Sequence, residues 1–183
     1  MTIEIRRLQQ QDLPQLKSFF QTVIIDTLKK NAITNLQEVL EDEMLTKESY
    51  LLQDIQSNGK ERMFLIATFA DEIVGIIGTY IANNYAVTLT NEKISGMTEL
   101  GTVYIAPHMQ GKGIGSLLVN TVLLHFKING IKQFCLDSGY GTAQAVWTRK
   151  FGPPTYNFQN HWGENAHHMI WIINLDSVPV TFG

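Results

Sequence analysis

Residues 110–115, with the sequence QGKGIG, have the residue types and spacing that most clearly indicate chemistry. A strand-like run at residues 102–105 and Pro107 precede them, and an apolar helical pattern starts at Ile114. A glycine-rich turn between a strand and a helix suits an anion, because its backbone N–H groups can point at phosphate and the helix N-terminus adds positive potential. Lys112 adds a mobile positive charge. The segment is therefore predicted to hold a phosphate group.

Three types of phosphate-binding loop can be compared with this segment. A nucleoside-triphosphate loop requires G-x-x-x-x-G-K followed by Ser or Thr, and the chain has no such run. A dinucleotide loop requires G-x-G-x-x-G, but Ser116 stands at the third glycine position. The pattern Q/R-x-x-G-x-G/A is matched in full by Gln110, Gly113 and Gly115. That third pattern is the pyrophosphate loop of the GCN5-related N-acetyltransferases, which bind acetyl-coenzyme A.

The chain resembles this GNAT family in the loop, in the run Val103-x-Ile105-x-Pro107 and in the predicted order of elements. The resemblance implies an α/β (α+β) fold: a single GNAT domain over residues 1–183, with a mixed, mostly antiparallel sheet, a splayed central strand pair and flanking helices. It also implies acetyl-coenzyme A as co-substrate and no metal. The residues expected to bind the coenzyme are Val103, Tyr104 and Ile105 along its pantetheine arm, and Gln110, Gly111, Lys112, Gly113, Ile114, Gly115 and Ser116 at its pyrophosphate.

Acetylation of an amine requires a proton acceptor, because alkylamines are mostly protonated at neutral pH. Glu99 lies in the strand before the loop, eleven positions ahead of Gln110. Several members of the family have their general-base glutamate there, so the resemblance implies that Glu99 is the base. The alternative is a solvent-facing glutamate at a strand edge.

Many family members protonate the leaving thiolate with a tyrosine from a helix that precedes a glycine. Aligned on Gly152, that tyrosine position is occupied here by Thr148. Tyr140 and Tyr156 are the nearby substitutes, and water is a further proton source. The missing tyrosine keeps a second function open, a non-catalytic acyl-coenzyme A-binding or sensor module. The partial match to the dinucleotide-binding pattern leaves a third function open, that of a nicotinamide-dependent enzyme.

Composition narrows the class of protein further. The chain has 183 residues, 44% of them hydrophobic, a net charge of −3 and one cysteine, Cys135. These values predict one globular domain, no nucleic-acid or membrane partner, and a cytoplasmic location. Families of this fold often dimerise through C-terminal strands, so the resemblance, together with the apolar run at residues 170–175, implies a homodimer. The predicted function is transfer of acetyl from acetyl-coenzyme A to a primary amine, by direct attack in a ternary complex.

Periodicity predicts the order β-α-α-β-β-β-α-β-α-β. Asp12 is predicted to cap the first helix, a hairpin is predicted near Asp71, and Gly101 is compatible with a strand bulge. Residues 82–97 are predicted to form a loop or a frayed strand extension. His161, His167 and His168 lie close together without a zinc-binding pattern.

Overall fold

The computed structural model describes residues 2–181, so Met1, Phe182 and Gly183 of the predicted 1–183 domain lie outside the described residues. It contains seven strands and five α-helices. The strands are β1 (Glu4–Arg7), β2 (Arg62–Phe69), β3 (Glu72–Ile81), β4 (Thr98–Ile105), β5 (Gln133–Ser138), β6 (Tyr156–Phe158) and β7 (His168–Asn174). The helices are α1 (Leu13–Lys30), α2 (Leu36–Ser57), α3 (Asn84–Leu89), α4 (Ile114–Ile128) and α5 (Gly141–Phe151).

The seven strands form one mixed sheet in the order β1-β2-β3-β4-β5-β7-β6. The pairs β1–β2, β5–β7 and β6–β7 are antiparallel, and β4–β5 is parallel. The β4–β5 pairing involves the first two residues of β4: Thr98 pairs with Phe134, and Glu99 pairs with Cys135. This short parallel pairing agrees with the predicted splayed strand pair, and the predicted fold class is confirmed.

Local turn and cap chemistry explains several element boundaries. Ala70 and Asp71 have φ values of +49° and +65°, which is the two-residue turn that joins twisted antiparallel strands, so the predicted hairpin is confirmed. Pro14 stands in the first turn of α1, as predicted. Asp12 does not cap α1 with its side chain. Its carboxylate instead accepts two hydrogen bonds of 2.8 Å from Arg6.

Two elements differ from the sequence prediction. The region 82–97 contains a helix, α3, where a loop or a strand extension was expected. Asn83 caps the start of that helix, because its side-chain oxygen accepts from Ala86 N at 2.9 Å. The β-branched residues that follow have low helical propensity, so the sequence did not predict a helix there. The short strand β6 was also missed. It pairs antiparallel with β7, from Tyr156 opposite Ile170 to Phe158 opposite His168.

The described chain divides into two compact units, and β3, β4 and α4 contribute residues to both. The first unit contains residues 2–79 and Thr102–Val122. Its core includes one stripe of α1 at four-residue spacing, which is the spacing of a single helix face. The stripe residues are Leu16, Phe20, Ile24 and Leu28, each at most 2% exposed.

The second unit contains Tyr80–Gly101 and Leu123–Thr181. Aromatic rings dominate its core. Phe134 contacts Phe126 and Phe151 at centroid distances of 5.4 and 5.7 Å, and Trp147 stacks on Phe151 at 5.9 Å. Trp171 is 1% exposed and donates its indole N–H to Gly152 O at 2.9 Å.

The homodimer remains a prediction. The structure changes the evidence for it, because it buries most of the apolar residues on which the prediction depended. Four of the C-terminal apolar residues behind it are buried within their own chain: Ile170, Trp171, Ile173 and Leu175. These four side chains are therefore not available to a partner. Light scattering at micromolar concentration should give twice the mass of one chain, and the mass of a single chain would remove the prediction.

Among residues 2–181, no helix combines the length and apolar character needed to cross a bilayer. Nor does this part of the chain contain a group of three or more His, Cys, Asp or Glu residues that could hold a metal ion.

Candidate active site

The glycine-rich loop lies in the first unit and leads directly into α4. Pro107–Met109 form a 3-10 turn, and Ala106 N donates to Val74 O at 2.9 Å, which ties the end of β4 to β3. Leu117 N donates to Gly113 O at 3.0 Å in the first turn of α4. The backbone N–H groups that precede Leu117 in this helix have no intrahelical acceptor, so they are free to bind an anion.

The loop glycines fit a ligand that approaches the backbone closely. Gly111 and Gly113 have φ values of +74° and +83°, which L side chains rarely adopt. A Cβ added at either would meet no protein atom within 4 Å. A Cβ on helical Gly115 would meet only Ile105, at 3.7 Å or more. Since the protein's own packing does not require glycine at Gly115, the space beside it is available to a bound group. The predicted pyrophosphate residues therefore fit that group.

Gln110, the first residue of the motif, is held by α1 and by β4. Its amide nitrogen donates to Ile105 O at 3.1 Å and to Asp26 Oδ2 at 3.2 Å. Its amide oxygen accepts from Lys30 Nζ at 2.7 Å, and Lys30 also pairs with Asp26 at 2.6 Å. The sequence analysis missed these contacts of Asp26 and Lys30, because both residues lie about eighty positions before Gln110.

Lys30→Met should weaken binding of acetyl-coenzyme A by about three- to tenfold, because the change removes a charge-assisted hydrogen bond that orients Gln110. Calorimetric titration of the coenzyme measures the effect. Lys29→Met is the matched control, since Lys29 is an exposed lysine of the same helix. Equal affinities in the two variants would show that Lys30 does not support the loop.

The remaining predicted coenzyme residues lie near the loop. Val103, Tyr104 and Ile105 are half-buried in β4, and the ring of Tyr104 meets Phe20 edge-on at 6.0 Å. Lys112 and Ser116 are exposed, whereas Ile114 is buried. In β4, Thr102 has φ +51°, an unusual conformation for a β-branched residue. The backbone distortion expected at Gly101 is therefore found at its neighbour, Thr102.

Glu99 lies in the second unit and is buried, not at a solvent-facing strand edge. It is 2% exposed, and its Oε2 accepts from the backbone N and side-chain Nδ2 of Asn83 at 2.9 and 3.0 Å. The hydroxyl of Tyr80 also donates to its carboxylate. A side chain at Gly101 would collide with that hydroxyl and come within 3.2 Å of Glu99 Oε1. Gly101 therefore leaves room for the Tyr80–Glu99 contact.

The surroundings of Glu99 tune its acidity. Burial raises the pKa of Glu99, and the negative charge of Asp137 raises it further. The hydrogen bonds from Asn83 and Tyr80 oppose this rise, and the resulting pKa is about 7. A carboxyl group with this pKa can both accept and release a proton near neutral pH, as a general base must.

Asp137, His168 and Trp162 form a connected group in the same unit. His168 Nε2 lies 3.1 Å from Asp137 Oδ2, and His168 Nδ1 accepts from the indole N–H of Trp162 at 3.2 Å. Because Nδ1 is an acceptor, the neutral imidazole carries its proton on Nε2, which faces Asp137. The sequence analysis noted His168 only as one of three neighbouring histidines and did not consider Asp137. Pairing of β5 with β7 brings them together, and sequence spacing does not reveal that pairing.

The two candidate proton donors occupy different environments. Tyr140 precedes α5, and its backbone N donates to Ser138 Oγ at 3.2 Å. Tyr156 lies in β6, with its ring stacked on Phe158 at 6.2 Å and packed against a buried apolar cluster that includes Cys135 and Ile170. Burial also raises the pKa of the Cys135 thiol, so this residue stays neutral. A catalytic role for either tyrosine remains a prediction.

Comparison with family models identifies the class of protein. The acetyltransferase (GNAT) family model matches residues 30–153, more than half of the chain. The protein therefore belongs to the GNAT acetyltransferase family, and the predicted enzyme class, an N-acetyltransferase, is confirmed. A comparison with curated proteins found no match.

Solved structures share the fold at low sequence identity. PaiA N-acetyltransferase from Thermoplasma acidophilum, in complex with coenzyme A, is 20% identical with a TM-score of 0.68, covering 95% of this chain and 99% of that one. The ribosomal-protein-S18-alanine N-acetyltransferase from Escherichia coli is 14% identical with a TM-score of 0.64, covering 100% and 99%. A spermidine N-acetyltransferase chimera from Vibrio cholerae is 17% identical with a TM-score of 0.61, covering 96% and 97%.

Proposed function

We propose that this protein transfers the acetyl group of acetyl-coenzyme A to a primary amine of a small molecule, by direct attack in a ternary complex. The observation that carries the proposal is the placement of Glu99: a buried carboxylate near the start of β4, the strand that leads directly into the Q-x-x-G-x-G loop. Solved relatives named as acting on spermidine and on a ribosomal-protein alanine share this fold. The fold alone therefore does not select the acceptor.

The coenzyme, when bound, supplies an acetyl thioester. Backbone N–H groups of the loop and of the α4 N-terminus would hold its pyrophosphate, and Gln110 would keep the loop in place. Glu99 would take one proton from the acceptor's ammonium group, which frees the nitrogen lone pair. The amine nitrogen then forms a bond to the carbonyl carbon as the carbon–sulfur bond breaks, and the nitrogen gives its second proton to water. Tyr140, Tyr156 or water would supply the proton that the sulfur receives.

Release of free thiol from acetyl-coenzyme A, measured over a panel of primary amines, tests the proposed function. Release that depends on an amine supports it. Tight coenzyme binding with no release above background for any amine would favour the sensor module instead. Calorimetric titration with NAD in place of acetyl-coenzyme A tests the nicotinamide alternative, and a preference for NAD would reject the proposal.

A further inference from the structure

Asp137 lies next to Glu99, the proposed base. The register of β4 and β5 pairs Glu99 with Cys135, and residues two apart on a strand share a face. Asp137 therefore lies on the same face of the sheet as Glu99 and Cys135, one step further along β5. The next β4 residue on that face is Gly101, which has no side chain. The effect of the Asp137 charge on the pKa of Glu99 agrees with this proximity.

His168 lies against Asp137, and Trp162 donates a hydrogen bond to His168. The side chain of His168 is 5% exposed, and its Nε2 approaches Asp137 Oδ2 without the alignment of a hydrogen bond. Gly139 lets the Trp162 indole lie against the chain just after β5, since a Cβ there would come within 2.9 Å of Nε1. The carboxylate of Asp137 thus lies against a buried imidazole, yet its side chain keeps 22% of its surface exposed.

Aromatic rings border the same carboxylate. Tyr85 meets His168 edge-on at 5.4 Å and stacks on Trp162 at 5.4 Å. Burial and the charge of Asp137 both raise the pKa of Tyr85. Trp162 and Tyr85 remain 56% and 41% exposed, so their outer faces are open to a ligand. A carboxylate beside electron-rich rings favours a cation over a neutral or negative group.

We propose that Asp137 binds the ammonium group of a positively charged alkylamine acceptor, beside Glu99. This inference rests on the proposed function and assigns its acceptor class. Glu99 is almost fully buried and is half-protonated near neutral pH, so it is poorly suited to hold a cation. Asp137 is more exposed and lies 3.1 Å from His168 Nε2. The two carboxylates thus have different roles. Asp137 binds the ammonium ion, and Glu99 accepts the proton that the ammonium ion loses.

Benzylamine and aniline test the inference, because both carry one ring but only benzylamine is protonated at pH 7. Asp137→Asn should raise the KM for benzylamine by about 10- to 100-fold, the usual range for losing a hydrogen bond to a charged group, and change the KM for aniline by about twofold or less. Affinity for acetyl-coenzyme A should be unchanged. Asp176→Asn, at an exposed aspartate of the same unit, should leave both KM values unchanged. Equal effects of Asp137→Asn on the two amines would overturn the inference.

A second readout does not depend on turnover. Carboxyl NMR of isotope-labelled protein follows the titration of Glu99, whose signal is identified by its loss in Glu99→Gln. Glu99 is faced by Asp137 and Cys135 from β5 and by Tyr80 from β3, and Asp137 is faced by His168 from β7 and Tyr85 from α3. Asp137→Asn should lower the Glu99 midpoint, since one negative neighbour is removed. An unmoved midpoint would contradict the placement of Asp137 beside Glu99.

Two further measurements distinguish failure of the inference from misfolding of the variant and from failure of the proposed function. If Asp137→Asn does not fold, Trp162→Phe carries the test, since it keeps an aromatic ring and removes the N–H that donates to His168. It should raise the KM for benzylamine by about three- to tenfold, and an unchanged KM would overturn the inference. If the wild type acetylates no amine of the panel, the proposed function fails. Calorimetric binding of benzylamine to wild type and Asp137→Asn then decides the inference, and equal affinities would overturn it.

Discussion

Glu99→Gln should lower turnover by about 10²- to 10⁴-fold at pH 7, the usual contribution of a general base. Glutamine keeps the shape of the side chain and an oxygen that can accept from Asn83, but it cannot take a proton. Binding of acetyl-coenzyme A should stay within about threefold of wild type, because the loop and not Glu99 is expected to hold the pyrophosphate. Glu92→Gln is the matched control, since Glu92 is an exposed glutamate of the same unit.

The pH dependence sharpens this prediction. The pKa of Glu99 is about 7, so wild-type kcat/KM should rise as pH increases through 7 and the carboxyl ionises. The deficit of Glu99→Gln should shrink at high pH, where the amine is neutral without help. Full turnover of the variant at pH 7 would show that Glu99 is not the base. A uniform loss at every pH would indicate a role in positioning the acceptor.

The stability of the same variant provides a check on its fold. The native pKa of Glu99 lies above its ordinary value of 4.5, so the folded state binds this proton more tightly than the unfolded state. Ionisation of Glu99 therefore makes the wild type less stable as pH rises from about 4.5 to about 7. Glutamine lacks this penalty. Thermal melting at pH 8 should find Glu99→Gln at least as stable as wild type, so lost turnover would not reflect unfolding.

Gly113→Val should abolish measurable coenzyme binding. The branched side chain would occupy the open space beside the loop backbone, and φ +83° is strained for any L side chain, so the loop would also leave its binding conformation. Calorimetry measures the affinity, and circular dichroism measures whether the fold is kept.

Gly96→Val separates the backbone strain from the loss of the ligand site. Gly96 has φ +74° and open space around it, like Gly113, but it lies in the second unit and is not part of the loop. The two variants should lose similar stability, and only Gly113→Val should lose the coenzyme. Wild-type affinity in a folded Gly113→Val protein would reject the phosphate-loop assignment.

The loop and its neighbours could be predicted from the sequence because their signals are local. The glycines determine backbone conformation by themselves, and the apolar pattern after Gly113 predicted α4 with its observed bounds, Ile114–Ile128. The motif spacing also placed Glu99 in the preceding strand. Its burial and its contacts with Tyr80 and Asn83 were not predictable from spacing, since they depend on how β3 and α3 pack near β4.

The missed residues depend on contacts that are distant along the chain. Lys30 reaches Gln110 across eighty positions, and Asp137 meets His168 only because β5 pairs with β7. The short helix α3 was missed for a different reason. A six-residue segment with two β-branched side chains is too short to form a stable helix alone, so the Asn83 cap and the buried positions Ala86 and Val87 stabilise the helix in its tertiary context.

The most direct test of the central claim is transfer of an isotopically labelled acetyl group from acetyl-coenzyme A to an amine, followed by mass spectrometry of the amine product. With wild-type protein and benzylamine, the label should appear on the amine nitrogen, with one free coenzyme A formed for each labelled product. The rate should fall with Glu99→Gln and not with Glu92→Gln. Thiol release without labelled amine, or labelling that does not depend on Glu99, would contradict the proposed mechanism.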